Sequence, residues 1–314
     1  MDRIPIGQFI KERREAKGMN QEALCHDICS VTNLSKIELE GRIPRSSVLR
    51  QLLERLGESD TYYTVPMDKY ENRIRPLRKK ARALVVSFEK ATGEERSALR
   101  EEALSALEKM EEMAEKDDLL TRQRILGDRV TLGTPAGPYP PARERELLLE
   151  ALRLTAPDFD ISRIDNFRYT QEETELINKI AITYALEGDR KTAIAVYQRL
   201  LDYIQKNNQQ LSRYANQLTL VAFNYARELD VDGQYDEAVR VAELGRKAAV
   251  QYGYHQALPG LLHIIAECQH YLGNDTESKE LYLQAYYLYE AFEERHGLES
   301  LKRDISEQLG IVLS

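Results

Sequence analysis

A glycine that recurs at long, regular spacing constrains the fold of this chain more than any other feature. The recurring glycines are Gly188, Gly233 and Gly273, which lie 45 and 40 residues apart between amphipathic stretches. A small residue stands seven positions before each of them, namely Ala181, Ala226 and Ala266. Closely packed antiparallel helices need small side chains at their contact and a turn residue that tolerates positive φ. The order therefore predicts successive helix pairs.

The remainder of the chain also favours helices, and we expect an all-α fold. Apolar residues make up 42% of the 314 residues and charged residues 31%, which is typical of a globular protein with an ample core. The segment 133–141, GTPAGPYPP, holds four of the ten prolines and breaks the helical pattern. No segment shows convincing strand alternation.

The charge is distributed unevenly. Residues 1–82 hold 17 Lys and Arg against 12 Asp and Glu, a net charge of +5. Residues 83–314 hold 27 against 40, a net charge of −13, and the whole chain carries −8. A mildly basic N-terminal part before an acidic remainder indicates two parts with different partners, and it argues against a general nucleic-acid coat.

Four short helices are expected before residue 58. Asn20 and Ser30 are candidate N-caps of the second and third helices, and Ser46 or Ser47 of the fourth. The second helix is expected to run to about Ile28. We predict an N-terminal domain at residues 1–60, a linker at 61–70 and a helical-repeat domain at 71–314.

The stretch NQEALCHDICSVTNLSKIELEG, residues 20–41, resembles the helix-turn-helix of the Xre/Cro repressor family. The resemblance covers residues 6–57, with one residue more than usual before Gly41. It rests on the Gln21-Glu22 helix start, Cys25, the Ser30 cap, Leu34 and the Lys36-Ile37-Glu38 run. It implies that the third helix enters the major groove of double-stranded DNA.

The polar residues of this motif are suited to DNA. Asn and Lys side chains hydrogen-bond base edges, and Val and Thr methyl groups contact thymine. Gln21 and Arg42 are candidates for phosphate contacts. The predicted DNA-binding residues are Gln21, Ser30, Val31, Thr32, Asn33, Ser35, Lys36 and Arg42. The alternative is that they are ordinary solvated residues. A single helix-turn-helix contacts few base pairs, so we expect a homodimer on two half-sites about 34 Å apart.

The repeats are similar to the tetratricopeptide repeat, although their spacing exceeds its usual length of roughly 34 residues. The resemblance implies a right-handed α-solenoid with a concave wall, lined by the first helix of each pair, that binds extended peptides. The predicted peptide-binding residues are Asn178, Ile182, Phe223, Asn224, Arg227, His263, Glu267 and His270. The alternative is that these side chains only pack or face solvent.

The combination of an Xre-type domain with a helical-repeat domain resembles the RRNPP group of peptide-pheromone receptors. The resemblance implies a dimeric transcriptional regulator in quorum sensing, in which a short signalling peptide repositions the DNA-binding domains. Asn178 and Asn224 resemble the asparagines that clamp peptide backbones in that group. Two alternatives stay open: a protein–protein interaction module, and a repressor that needs no ligand.

We expect no enzyme, no cofactor and no metal. Phosphate-binding, zinc-protease and nucleophile-elbow motifs are absent. Cys25, His26 and Cys29 lack a fourth ligand nearby, and the two cysteines occupy positions expected to face the core. The chain has three cysteines, no signal-peptide pattern and no membrane-spanning run, so we expect a cytoplasmic protein without a membrane partner.

Overall fold

A computed structural model describes residues 5–58, 69–207 and 211–310. These ranges contain fifteen α-helices, two short 3₁₀ turns at Ile164–Asn166 and His255–Ala257, and no β-strand. The all-α prediction is confirmed. The helices are α1 Ile6–Ala16, α2 Gln21–Cys25, α3 Val31–Glu40, α4 Ser46–Arg55, α5 Lys69–Lys90, α6 Gly93–Met113, α7 Leu119–Leu132, α8 Pro141–Arg153, α9 Gln171–Leu186, α10 Arg190–Asn207, α11 Leu211–Val231, α12 Tyr235–Tyr252, α13 Leu258–Tyr271, α14 Asp275–Ala291 and α15 Arg295–Leu309.

The chain divides into two compact units, Met1–Ile180 and Ala181–Ser314. The first contains α1–α8 and the start of α9, and the second contains the end of α9 and α10–α15. Residues 61–68 of the predicted linker lie outside the described ranges, and α5 begins at Lys69. The predicted domain bounds remain predictions. Every described helix is too short or too polar to cross a bilayer.

Helices α1–α4 enclose a small apolar core. The core side chains are Ile10, Leu24, Cys25, Ile28, Leu34, Ile37, Leu49, Leu52, Leu53 and Leu56. The predicted caps of α2 and α3 are present, because Asn20 accepts a hydrogen bond from the Ala23 N–H and Ser30 from the Asn33 N–H. Two local expectations were wrong. Helix α2 ends at Cys25, and the chain turns through Asp27 at a φ of 58°; α4 has Arg45 at its N-cap and no side-chain cap.

The repeat pattern is confirmed in the backbone. Gly188, Gly233 and Gly273 sit between successive helices with φ values of 86°, 78° and 83°, a region that side chains with a Cβ rarely adopt. The small residues seven positions earlier, Ala181, Ala226 and Ala266, are fully buried. The residues five positions after the glycines, Ala193, Ala238 and Ser278, are fully buried too. Both small positions therefore lie in helix contacts.

The third pair replaces the second small residue with a polar one. Ser278 on α14 donates its hydroxyl to the backbone carbonyl of Ala266 on α13, at 2.7 Å. A buried hydroxyl must find such a partner, because an unpaired one would cost free energy. After this pair, α15 packs against α13 and α14 through Leu301 and Ile305, which are both buried.

Candidate DNA and ligand interfaces

Helix α3 presents an exposed face to solvent and an apolar face to the core. Leu34 and Ile37 are fully buried beneath it. Of the predicted DNA-binding residues, those that are exposed are Ser30, Val31, Thr32, Lys36 and Arg42, and those that are half-buried are Gln21, Asn33 and Ser35. The Gly41 φ of 67° ends the helix in a left-handed cap. A helix whose polar face is exposed among the described residues has the arrangement that major-groove reading requires.

A buried polar network holds α3 in place, and the sequence reasoning missed it. Glu38 on α3 accepts two hydrogen bonds from the Arg14 guanidinium on α1, at 2.7 and 2.8 Å. The Gln21 side-chain amide donates a third, at 2.7 Å. Arg14 also donates to the Met19 carbonyl, at 2.9 Å. The amide of Gln21 is therefore engaged inside the domain, although its contact with phosphate was predicted and is untested.

The α1–α3 contact is too close for any side chain at one point. A Cβ placed on Gly7 would lie 1.8 Å from the Ile37 carbonyl oxygen. Glycine at this position lets the two helix backbones touch, which brings Arg14 within reach of Glu38. The signal in the sequence was the placement of Arg14 four residues after Ile10, on the apolar face of α1.

The N-terminal domain is also bonded to later parts of its own unit. Glu54 accepts a hydrogen bond from the Gln171 N–H at 2.6 Å. The Arg55 guanidinium lies 4.7 Å from the centre of the Phe167 ring, and Arg45 forms an ion pair with Glu115. These contacts leave the exposed residues of α3 uncovered.

Cys25 fills the core as expected, with 2% of its surface exposed, and Cys29 packs at the core's edge. The His26 Nδ1 lies beside the Asp27 carboxylate, and the His26 ring lies edge-on to Phe167, with 5.6 Å between the ring centres. The hydrogen bond with Cys25, followed by burial, raises the pKa of the Cys29 thiol.

In the second unit, the predicted peptide-binding residues of α11 form a small aromatic and cationic patch. The Arg227 guanidinium lies 5.9 Å from the centre of the Phe223 ring, with 45% of its side chain exposed. The Phe223 ring lies so close to the start of α13 that a Cβ on Gly260 would be 2.6 Å from it. Asn224 is buried, at 9% exposure, and Ile182 is half-buried.

The predicted residues of α13 are engaged by other side chains. His263 pairs with Asp304 of α15, at 2.9 Å between Nε2 and Oδ2. His270 pairs with Asp275, at 2.8 Å. Glu267 lies close to Asp230, and burial followed by the Asp230 charge raises its pKa to about 7. Asp230 and Asp304 were not identified from the sequence, because they come from other helices.

Asn178 belongs to the first unit and is half-buried on α9. The first unit also has a cavity of about 250 Å³ between α5, α6 and the 133–138 turn, where Arg100 donates to the carbonyls of Leu132 and Gly133. None of the predicted DNA-binding or peptide-binding residues lines this cavity.

Two family models match the chain. The C-terminal domain of the RNPP family matches residues 149–297, and a helix-turn-helix family matches residues 10–63. No curated protein sequence matches at a significant level.

The fold is similar to those of PlcR and ComR, two proteins of solved structure. The apo form of PlcR from Bacillus thuringiensis aligns with a TM-score of 0.58 and 17% identity, over 96% of this chain and 99% of that chain. PlcR in complex with the peptide PapR7 and DNA aligns at 0.56 and 17%, over 95% and 98%. The apo form of the competence regulator ComR from Streptococcus vestibularis aligns at 0.50 and 18%, over 97% and 98%. At these identities, the likeness shows a shared fold.

Proposed function

We propose that this chain, an RRNPP-type helix-turn-helix regulator with tetratricopeptide-like repeats, binds specific DNA as a homodimer under the control of a short signalling peptide. The proposal includes no catalytic step and no cofactor. Because a DNA-binding regulator acts where the DNA is, we place it in the cytoplasm.

The exposed face of α3 is the observation that carries the DNA-binding part. Val31, Thr32 and Lys36 are exposed there, above a core that fixes the helix. Lys36 is suited to a guanine edge or a phosphate, and the two methyl-bearing side chains to thymine. Residues 1–82 also carry a net charge of +5 in a chain of −8, and this positive charge favours approach to DNA.

The repeats are proposed to bind the peptide. PlcR was solved with the peptide PapR7 and with DNA, and this chain shares its fold. In the second unit, Phe223 offers an apolar surface, and Arg227 a cation for a carboxylate. The amide of Asn224 is suited to donate to and accept from a peptide backbone. Ile182, His263, Glu267 and His270 complete the proposed contacts in this unit. The predicted peptide contact of Asn178, which belongs to the first unit, stays a separate prediction.

Contacts between the N-terminal domain and residues 115–171 are the proposed basis of control. The Glu54–Gln171 hydrogen bond and the Arg55–Phe167 contact hold that domain in one position. A peptide that favoured a different position of the two DNA-binding domains in the dimer would change their match to two half-sites.

The DNA-binding test uses the upstream region of the protein's own gene and random DNA of equal length, at about 0.15 M salt. We expect tighter binding to the upstream region and a dimer on the DNA by sedimentation. Equal affinity for both DNAs would exclude a sequence-specific regulator.

Lys36→Ala tests the proposed face of α3. If Lys36 contacts a base, specific binding weakens by roughly 1–3 kcal/mol while nonspecific binding changes little. Lys90→Ala is the matched control, because it removes the same charge from the exposed end of α5. An equal loss on all sequences would make Lys36 a phosphate contact.

The peptide test uses the culture supernatant of the organism that encodes this protein. The peptide fraction of that supernatant is added to the protein–DNA complex. We expect DNA affinity to change in the wild type and in Asn274→Ala, and to stay constant in Asn224→Ala. Asn274 is a suitable control because it lies exposed in the turn before α14. No response in the wild type would favour the ligand-independent repressor, and a full response in Asn224→Ala would remove that residue from the peptide site.

A further inference from the structure

Three metal-binding side chains converge in the second unit, on two helices. His263 and Glu267 lie one turn apart on α13, so that they share a face of the helix. Asp304 on α15 reaches the same point, with its Oδ2 at 2.9 Å from the His263 Nε2. One donor atom from each residue lies within 4.8 Å of the other two.

The surroundings concentrate negative charge. Asp230 on α11 faces Glu267 and accepts a hydrogen bond from the buried Cys268 thiol, at 3.2 Å. Arg303 contacts Asp304 at 3.3 Å from the rim, with 65% of its side chain exposed to water. Three carboxyl groups therefore share a partly buried volume with one imidazole. Burial and Asp230 raise the pKa of Glu267 to about 7, which reflects the cost of this crowding.

We propose that His263, Glu267 and Asp304 bind a divalent first-row transition metal ion, with Zn²⁺ as the best fit. An imidazole nitrogen with carboxylate oxygens is a donor set that Zn²⁺ uses, with water in the open position. Bonds of about 2.0 to 2.2 Å in a tetrahedron place ligand atoms about 3.3 to 3.6 Å apart. The His263 Nε2 and the Asp304 Oδ2 are 2.9 Å apart, and all three donor atoms lie within 4.8 Å of one another, so small side-chain rotations bring them to these distances.

The ion would join the last helix of the chain to the third repeat. Asp304 is the ligand that α15 supplies, and it now shares a hydrogen bond with the His263 Nε2. The metal ion would replace the proton of this hydrogen bond, which would leave to solvent, and both atoms would then be ligands. Asp230, fixed by Cys268, lies beside the site as a further carboxylate. His263 and Glu267 also belong to the proposed peptide contacts, but the metal test needs neither DNA nor peptide, so its failure is distinguishable from a failure of the proposed function.

The test uses the full chain without an affinity tag, first stripped with a chelator. Co²⁺ is added and its visible d–d absorption recorded, and Zn²⁺ is then titrated against a chromophoric chelator. We expect one ion per chain in the wild type, displacement of Co²⁺ by Zn²⁺, and no competition by Mg²⁺. Glu267→Gln and Asp304→Asn should each weaken Zn²⁺ binding by at least about tenfold.

Asp275→Asn is the matched control, because Asp275 also pairs with a histidine of α13, at 2.8 Å, but lies outside the three-residue cluster. It should bind Zn²⁺ like the wild type. Glu267→Gln is expected to fold, since an amide relieves the carboxylate crowding. Its thermal midpoint without metal verifies this, and its midpoint should not rise with Zn²⁺ while that of the wild type does. A wild type without the Co²⁺ band, or one that Glu267→Gln and Asp304→Asn both match in affinity, would overturn the proposal.

Discussion

The N-terminal domain and the repeats hold their helices together by different means. In the N-terminal domain, α1, α2 and α3 share the buried network of Arg14, Gln21 and Glu38. In the second unit, successive helices meet at small side chains such as Ala226 and Ala238, which are fully buried. Hydrogen bonds to a buried charge are directional, whereas contacts between small apolar groups depend mainly on shape.

This difference matches what each region has to present. A helix that reads base edges must keep one orientation, and the bonds to Glu38 set the rotation of α3 about its own axis. Repeat helices that meet at small apolar side chains can shift by small amounts as a ligand binds. Charged side chains also bond across helices of this unit, as His263 does with Asp304, and such bonds limit the shift where they occur. The following predictions test this comparison, from the largest expected effect to the smallest.

Glu38→Ala should destabilise the N-terminal domain by about 3–5 kcal/mol, because it leaves the Arg14 guanidinium buried without its carboxylate. Hydrogen exchange at the α1 and α3 amides measures this local stability. Glu40→Ala, an exposed position on the same helix, is the control and should change stability by less than about 0.5 kcal/mol. Equal protection in both variants would show that the network does not hold α3.

Ala226→Leu should destabilise the second unit by about 1–3 kcal/mol, because a fully buried small position has no room for three more carbons. Exchange at the α11 and α12 amides measures the loss. Ala291→Leu adds the same atoms at the exposed end of α14 and should have little effect. If the two variants behaved alike, the helix contact would not depend on small residues.

Asp118→Asn tests whether hydrogen bonds to a buried charge also stabilise the first unit outside α1–α4. Burial opposes the Asp118 charge, but bonds from Tyr70, Thr121 and Arg78 outweigh it and lower its pKa. A lowered pKa stabilises the fold above the unfolded-state value of 3.8 and loses that contribution as pH falls through the folded value.

At neutral pH the substitution should cost about 1–2 kcal/mol. Thermal midpoints measured from pH 7 down to about pH 3 should fall more steeply for the wild type than for Asp118→Asn. Parallel curves would mean that the Asp118 charge does not stabilise this unit.

Ser278→Ala should have the smallest effect, at most about 1 kcal/mol, because it removes one neutral hydrogen bond to the Ala266 carbonyl. The other two pairs already have alanine at this position, at Ala193 and Ala238. Ser306→Ala, an exposed serine on α15, is the control. A loss several times larger would show that the third pair depends on a directional bond after all.

The local features of the chain were predictable because short-range geometry decides them. The φ of Gly41 follows from the end of a helix, and the caps at Asn20 and Ser30 from hydroxyl and amide groups within reach of free N–H groups. The end of α2 was missed because Leu24 and Ile28 are spaced as on one helix face, and the turn at Asp27 has no glycine to mark it.

The candidate sites were predictable only in part. The helical period of α3 places Leu34 and Ile37 on the buried face, and it therefore predicts that Lys36 is exposed, as the structure has it. The side chains that engage Arg14 and His263 could not be identified, since Glu38 and Asp304 lie 24 and 41 residues further along the chain. The residues next to a charged residue in the sequence do not show which distant residue it will pair with in the fold.

By itself, the sequence determined which segments are helices, where glycines let the chain turn and which small residues let helices touch, because these depend on neighbours within a few positions. The tertiary structure alone decided which charges became buried together, at Arg14 with Glu38 and at Glu267 with Asp230 and Asp304. The physical reason is that electrostatic energy depends on distance and burial in space, and both are set only when distant helices pack.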